Sequence, residues 1–185
     1  QYSLGGYYTG LAGWEFSIEG YYKQMRHILE YQDGVSFFGT STNWEEKVEM
    51  GEGRSFGLEM MVQKTLGKTT GWLAYTLAKT DHRFKDGAIS QGKWFPYKYD
   101  RRHTISLCLN HKFSERIDVG ASWIFNTGGC ITVPERETII IRPEGNIESA
   151  PYISRRNNYR LPASHRLNLG INFNKKTKHG MRTWN

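Results

Sequence analysis

The residues of this sequence best suited to acid–base chemistry are two carboxylates, Glu15 and Glu19, four positions apart. Side chains separated by an even number of residues along a strand point to the same face, so both carboxylates lie on one side, as a catalytic pair would. Two solvated carboxylates on the polar side of a strand explain the same spacing without any reaction. Because nothing else in the sequence resembles a catalytic centre, we predict no enzyme activity and no catalytic residue.

Histidine and cysteine residues supply common metal ligands and nucleophiles, but their spacing here predicts neither role. His103, His111 and His165 lack a metal-ligand spacing such as H-x-x-x-H. Cys108 falls at a polar strand position and Cys130 in a loop, and the pair forms neither a metal motif nor a disulfide framework. We therefore expect no metal site and no cofactor, with both cysteines free.

The chain is basic, with 25 Lys and Arg against 18 Asp and Glu and a net charge of +7. The basic runs, Arg155-Arg156 and Lys175-Lys176 followed by Lys178, fall in predicted loops and turns without aromatic residues between them. Because nucleic-acid surfaces combine a basic stripe with stacking rings, nucleic acid is not an expected partner. Basic loop ends instead suit the phosphates of a membrane surface, or simple solvation.

Aromatic side chains in the predicted long loops are the remaining candidates for ligand contact, because flat rings stack on sugars, chelates and porphyrins. Packing between loops and anchoring at a membrane interface would place rings there equally well. The loop aromatics are Phe37, Phe38, Trp44, Trp94, Phe95, Tyr97, Tyr99 and Tyr152. The ligand-binding candidates among them are Trp44, Trp94, Tyr97, Tyr99 and Tyr152.

The elements that would position these residues are six segments with apolar side chains at every second position. No charged residue occurs at these alternate positions. In the clearest segment, Leu167, Leu169, Ile171 and Phe173 alternate with polar residues and glycine. A period of two predicts a strand with one apolar and one polar face. The polar faces are too polar for a protein core. The pattern therefore indicates strands that separate lipid from water, with the polar side lining a lumen.

The predicted strands are long, and short connections between them alternate with long ones. Long loops are predicted at 31–52, 81–100 and 127–163. An outer-membrane barrel has this asymmetry, with short periplasmic turns and long extracellular loops. Short turns are predicted at 9–13, 66–69, 114–115 and 175–180, and strands at 1–8, 14–29, 53–64, 70–80, 101–113, 118–126 and 167–173, with the start of another near 182–185.

A bilayer explains why one face of each strand is uncharged, since a Lys or Arg that faces lipid at mid-bilayer costs roughly 2–4 kcal/mol. The chain has no run of about 18 apolar residues, so a transmembrane helix is excluded, whereas a spanning strand needs apolar residues only at alternate positions. The sequence thus predicts an all-β fold, an antiparallel up-and-down sector of a transmembrane β-barrel with about seven or eight strands.

Six short motifs follow one another along nearly the whole chain. They are EGYYK at 19–23, GRSFGLE at 53–59, TGWLAYTLA at 70–78, YDRRH at 99–103, TGG at 127–129 and NYRLPASHRLNL at 158–169. In their order and spacing they resemble the C-terminal barrel part of a TonB-dependent outer-membrane receptor of the kind found in Bacteroidota.

The resemblance implies that residues 1–185 are a partial barrel domain, truncated at both ends, of a 22-stranded barrel whose plug domain and last strand lie outside the chain. It implies an active transporter in the outer membrane of a Gram-negative bacterium, energised through TonB, for a scarce nutrient of the siderophore, haem, cobalamin or glycan class. The expected partners are membrane lipid and lipopolysaccharide, the plug domain and remaining barrel, the TonB complex and the nutrient, with a surface lipoprotein left open. Glu19, Glu59, Arg102 and Arg166 would then line the lumen or contact the plug.

Other functions remain open at this stage. A passive porin, or a structural or adhesive outer-membrane barrel, would have the same wall but no plug and no TonB contact. A soluble β-sandwich that binds carbohydrate would also keep one face of each strand uncharged, but its strands would divide between two facing sheets. A barrel sector instead predicts one antiparallel meander in which each strand pairs with its sequence neighbours.

Overall fold

The computed structural model describes residues 1–33, 43–87, 89–141, 147–177 and 180–184. Two short 3-10 helices, Trp44–Lys47 and Ser90–Gly92, accompany the strands. Within these ranges no helix has the length and apolar character needed to cross a membrane. The strands are β1 Tyr2–Tyr8, β2 Trp14–Tyr31, β3 Val48–Lys64, β4 Thr69–Arg83, β5 Phe95–Pro96, β6 His103–Lys112, β7 Ile117–Asn126, β8 Cys130–Ile131, β9 Arg136–Ile141, β10 Ile147–Tyr152, β11 Tyr159–Arg160, β12 Ser164–Thr177 and β13 Gly180–Trp184.

The fold is all-β, and eight of the strands form one antiparallel sheet in the order β1-β2-β3-β4-β6-β7-β12-β13. Each of these strands pairs with the next one along the chain, so the predicted meander is confirmed. The eight strands do not divide into two facing sheets, as a sandwich would require. β5 extends the sheet beside β4, while β9–β10 and β8–β11 are small two-stranded sheets in the connection from β7 to β12.

Two of the predicted connections were placed wrongly because strands extend into them. β2 continues to Tyr31 and β3 already begins at Val48, so the predicted loop 31–52 is too long at both ends. β4 continues to Arg83, into the predicted loop 81–100. The reason is that charges occupy both faces near these ends, for example where Glu52 pairs with Arg83, so the alternation stops while the backbone ladder continues.

Two further connections also differ from expectation. The predicted loop 127–163 contains β8 to β11, whose short strands carry too few residues for a period to be recognised. The predicted turn 175–180 is wrong for residues 175–177 and 180, because β12 extends to Thr177 and pairs with β13, which begins at Gly180. Residues 178 and 179 lie outside the described part of the chain, as do the loop aromatics Phe37 and Phe38.

The register of the sheet aligns the apolar side chains of seven neighbouring strands on one side, which we call the apolar face. Strand pairing brings the apolar positions of consecutive strands opposite one another, so the residues of one row across the sheet share the same face. The most complete row runs from β1 to β12 and consists of Tyr8, Phe16, Val62, Leu73, Leu107, Trp123 and Leu167.

The opposite side, the polar face, is aligned in the same way. Met61, Trp72 and Ile124 are large apolar exceptions on this face, while most other positions carry hydroxyl, amide or carboxylate groups. One row across it consists of Gly5, Glu19, Glu59, Thr76, Thr104, Asn126 and Ser164.

The buried core lies at one end of the sheet instead of between two layers. Among the described residues the buried apolar side chains are Phe84, Ile89, Phe95 and Cys130, all in or beside the long connections. By contrast, Leu167 to Phe173 on the apolar face are about half exposed or more. The fold therefore has an ordered loop end and a sheet whose apolar face is not covered by this chain.

Candidate functional site

The three long connections meet at one end of the sheet, because an antiparallel meander brings every second connection to the same edge. We call the described residues of 32–47, 84–102 and 127–163 the loop layer. Arg156 joins all three connections: its backbone N–H donates to Ser90 Oγ at 2.9 Å, and its side-chain Nε donates to Asp33 Oδ1 at 2.8 Å. Asp33 Oδ2 also accepts from the Ser90 N–H at 2.9 Å. The connections therefore form one hydrogen-bonded unit.

Asp100 is the buried charge of the loop layer, with only 1% of its side chain exposed. Its Oδ1 accepts from the backbone N–H of Thr80 at 2.7 Å, which satisfies the edge of β4 where β6 no longer pairs with it. Its Oδ2 accepts from Arg102 Nη2 at 3.3 Å and from Arg160 Nη2. Arg160 also donates to the carbonyl of Gly128 at 2.8 Å. We call Asp100, Arg102 and Arg160 the Asp100 cluster.

The Asp100 cluster unites three of the motifs that carried the family resemblance, at 99–103, 127–129 and 158–169. His103 N–H donates to Thr127 Oγ1 at 3.0 Å, and Leu161 N–H donates to the Gly129 carbonyl at 2.9 Å. A Cβ on Gly128 would lie 2.0 Å from the Leu161 carbonyl oxygen, so only glycine fits there. Sequence reasoning located these motifs but missed that they contact one another.

Two of the aromatic candidates, Tyr97 and Tyr99, lie together in the loop layer. Their rings meet edge-on with centroids 5.4 Å apart, and Tyr97 also stacks on His82 at 4.5 Å. Tyr99 is 66% exposed, so one face of this pair is open to a ligand. Phe84 and Phe95, whose ring centroids are 6.1 Å apart, form the buried support near His82.

The other aromatic candidates are not part of that pair. The Trp94 ring contacts the guanidinium groups of Arg54 and Arg83, which lie 4.3 Å and 4.8 Å from its centroid, on the side of β4 that carries the apolar face. Tyr152 lies in β10 beneath the guanidinium of Arg136 at 4.3 Å. The side chain of Trp44 lies outside the described residues. The described candidates therefore do not form one aromatic platform.

The four charged candidates occupy three places. Glu19 and Glu59 are direct cross-strand partners on the polar face, and both are exposed. Arg166 is opposite Ile124 on the same face and donates from Nε to Asn168 Oδ1 at 3.1 Å. Arg102 precedes β6 and belongs to the Asp100 cluster. The structure thus brings the two glutamates together and separates them from both arginines.

The remaining titratable groups of the loop layer suit binding better than reaction. Burial raises the pKa of the Cys130 thiol, which disfavours the reactive thiolate. Cys108 and Cys130 are both free. In the described ranges no group of three or more His, Cys, Asp or Glu side chains could hold a metal ion. What the layer offers is exposed aromatic surface beside fixed arginines.

His82 makes the loop layer sensitive to pH. It is buried, its Nδ1 has no hydrogen-bond partner among the described residues, and burial lowers its pKa below the usual 6.5, against the opposing effect of Asp81. The opened layer therefore binds a proton more readily than the closed one. The stability that His82 gives to the closed layer is complete above about pH 6.5 and falls as the pH drops from there towards the lowered pKa. The total loss is about 1.4 kcal/mol for each pH unit between the pKa of His82 in the opened layer and that in the closed layer.

We expect amide hydrogen exchange in residues 80–100, corrected for intrinsic rates, to accelerate as the pH is lowered from about 8 to 5. His82→Gln should remove most of this pH dependence. His27→Asn, at an exposed histidine whose positive φ asparagine tolerates, should leave it intact. A pH dependence that is the same in all three proteins would contradict the role of His82.

The sequence matches no family model and no curated protein. The function must therefore be argued from three features of the chain itself. These are the apolar face, the polar face and the loop layer.

Proposed function

We propose that this chain forms part of the wall and the outer loops of a TonB-dependent outer-membrane transporter for a scarce nutrient. The observation that carries the proposal is the apolar face, on which one row of apolar side chains crosses seven strands without a charge. If so wide a surface stayed in water, the protein would lose roughly 25 cal/mol of burial free energy for every Å² of apolar area. Lipid is the environment that such a surface fits.

The height of the apolar face supports a bilayer as its environment. Along β2 the apolar face carries no charge from Trp14 to Tyr22, a stretch of nine residues. A tilted transmembrane strand needs about 9–11 residues. Lys64 Nζ lies 5.4 Å from the Trp14 ring centroid at the turn end, a pairing suited to a membrane interface. The charged side chains of the face thus lie at its borders.

The polar face supports an internal partner. Glu19 and Glu59 are opposite each other, and like charges in that arrangement destabilise a sheet. A cation from a plug domain inside the barrel would relieve this repulsion. In this proposal Arg166 faces the same interior, while Tyr97 and Tyr99 take part in nutrient capture from the loop layer. The chain contributes no catalysis.

A labelling experiment in cells tests the membrane placement. We propose the intact protein with Cys108 and Cys130 replaced by serine, carrying either Tyr99→Cys in the loop layer or Leu66→Cys in the turn between β3 and β4. Both positions are at least 60% exposed. A membrane-impermeant maleimide should label the Tyr99→Cys protein in intact cells and the Leu66→Cys protein only after the outer membrane is opened. Equal labelling of both in intact cells would refute the placement.

The transport mechanism requires a separate measurement. Uptake of the nutrient should stop when the proton gradient is collapsed or TonB is deleted. A passive porin would continue to admit the nutrient under both conditions. An adhesive or structural barrel would leave uptake unchanged when the gene itself is deleted.

A further inference from the structure

The apolar face has a depression where one side chain is missing. Gly20, which lines this depression, lies between Leu4 and Leu58 on the neighbouring strands. The cavity volume is about 620 Å³. The apolar side chains around it are Tyr2, Leu4, Tyr22, Phe56, Leu58 and Leu77, and Lys79 closes its loop end.

Charged side chains begin with Lys79 at the loop end of this depression and continue towards the loop layer. Lys79 Nζ is 3.2 Å from Asp81 Oδ2, which Arg54 Nη2 also contacts at 3.2 Å. In the next row Glu52 Oε1 accepts from Arg83 Nε at 2.9 Å and lies 3.4 Å from the Nζ of Lys85. Four cations share two carboxylates, which leaves two positive charges in excess. We call these six residues the basic ladder.

The ladder and the depression lie on the same side of the sheet. Strand pairing places Lys79 opposite Phe56, Asp81 opposite Arg54 and Arg83 opposite Glu52. Consecutive rows are about 7 Å apart. The ladder therefore begins at the depression and ends about two rows beyond it, where the Trp94 ring contacts Arg54 and Arg83.

We infer that this surface binds one phosphorylated lipid of the outer leaflet, with an acyl chain in the depression and its phosphate on the ladder. The inference rests on the proposed membrane function and assigns a specific lipid site to it. The occupant follows from charge complementarity, since the surplus of two cations at the end of an apolar depression matches a phosphate attached to an acyl chain. A partner protein with an acidic segment would match the ladder but not the adjoining depression.

Lys79 and Lys85 are the best positions for a test. Their side chains are 34% and 66% exposed, so both can reach a phosphate. Each shares its carboxylate with an arginine, so replacing the lysine leaves Asp81 paired with Arg54 and Glu52 paired with Arg83. Lys79→Gln/Lys85→Gln therefore removes the surplus charge without leaving an unpaired buried carboxylate.

The depression is tested by Gly20→Leu, which places a side chain in it between Leu4 and Leu58. A Cβ on Gly20 meets no atom closer than 4.0 Å, so the larger side chain has room. The matched control is Gly6→Leu on the same face, where a Cβ would also meet nothing closer than 3.9 Å and which does not line the depression. The control for charge is Lys68→Gln/Lys112→Gln, with both lysines exposed at the turn end.

The experiment purifies the intact protein and each variant in detergent and counts the phosphorylated lipid retained per protein by native mass spectrometry. Both Lys79→Gln/Lys85→Gln and Gly20→Leu should retain roughly 10- to 30-fold less than the wild type, and both controls should match it. Circular dichroism confirms that each variant keeps its strands. Equal retention in all proteins would overturn the lipid site while leaving the membrane function intact. A wild-type protein that is soluble without detergent and carries no lipid would overturn both.

Discussion

Replacing Asp100 by asparagine is expected to release the loop layer. We expect the free energy needed to open the layer to fall by about 2–3 kcal/mol. Removing one partner from a buried ion pair typically costs 3–5 kcal/mol, and the third of Arg102 and Arg160 that is exposed reduces the loss. Without the carboxylate both guanidinium groups lose their counter-charge, and the hydrogen bonds from Arg160 to the connection 84–102 are reduced to the one that the Asp100 main-chain carbonyl accepts. Proteolytic cleavage within 84–102 and 127–163 should therefore become roughly 30- to 150-fold faster.

The control for this prediction is Asp86→Asn, at an exposed aspartate of the same connection. It removes the same charge and should leave the cleavage rate unchanged. Thermal unfolding of the sheet should shift little in either variant, since the long strands pair independently of the loop layer. If the Asp100 and Asp86 variants are cleaved equally fast, the Asp100 cluster does not hold the layer together.

An arginine at Leu107 is expected to prevent most of the intact protein from reaching the outer membrane in folded form. Leu107 lies near the middle of β6 and of the seven-strand apolar row. A charge on that face at mid-bilayer costs roughly 2–4 kcal/mol. We expect the free energy of unfolding in lipid vesicles to fall by that amount and the quantity of folded protein in outer-membrane fractions to fall with it.

The neighbouring residue supplies a matched control. Ser106 is opposite Ala74 and Ile124 on the polar face, so Ser106→Arg introduces the same charge one residue away towards the proposed lumen. This variant should fold and insert nearly as well as the wild type. Equal loss from both substitutions would mean that the two faces do not meet different environments, and the membrane proposal would fail.

Much of the sheet could be predicted from the sequence because a period of two is visible over long stretches. The segment from Leu167 to Phe173 was assigned to a strand with the correct faces, and the single meander followed from the short and long connections. The strand ends could not be predicted, because at Glu52 and Arg83 charges occupy the positions where apolar residues had marked the face. Backbone pairing continues there without an apolar signal.

The loop layer was less predictable for a different reason. Arg160 lies sixty residues from Asp100 in the sequence, and the residues around either one do not predict that the two side chains pair. The aromatic candidates were correctly found in the long connections, but β5 pairs with β4 and places Trp94 with Arg83 and Tyr97 with His82. A two-residue strand leaves no periodic signal, so the sequence could not assign these rings to different groups.

The seven-strand row also limits how this sequence can change in length. Inserting or deleting one residue within β6 would move Leu107 and every side chain beyond it to the other face, against Leu73 and Trp123 on both neighbours. A change of two residues would preserve the faces and move the rows by one step. Length variation within the apolar face should therefore occur in even numbers, while the connections are free to vary by one, as is the loop end of β2, where His27 is an extra residue in the pairing with β3.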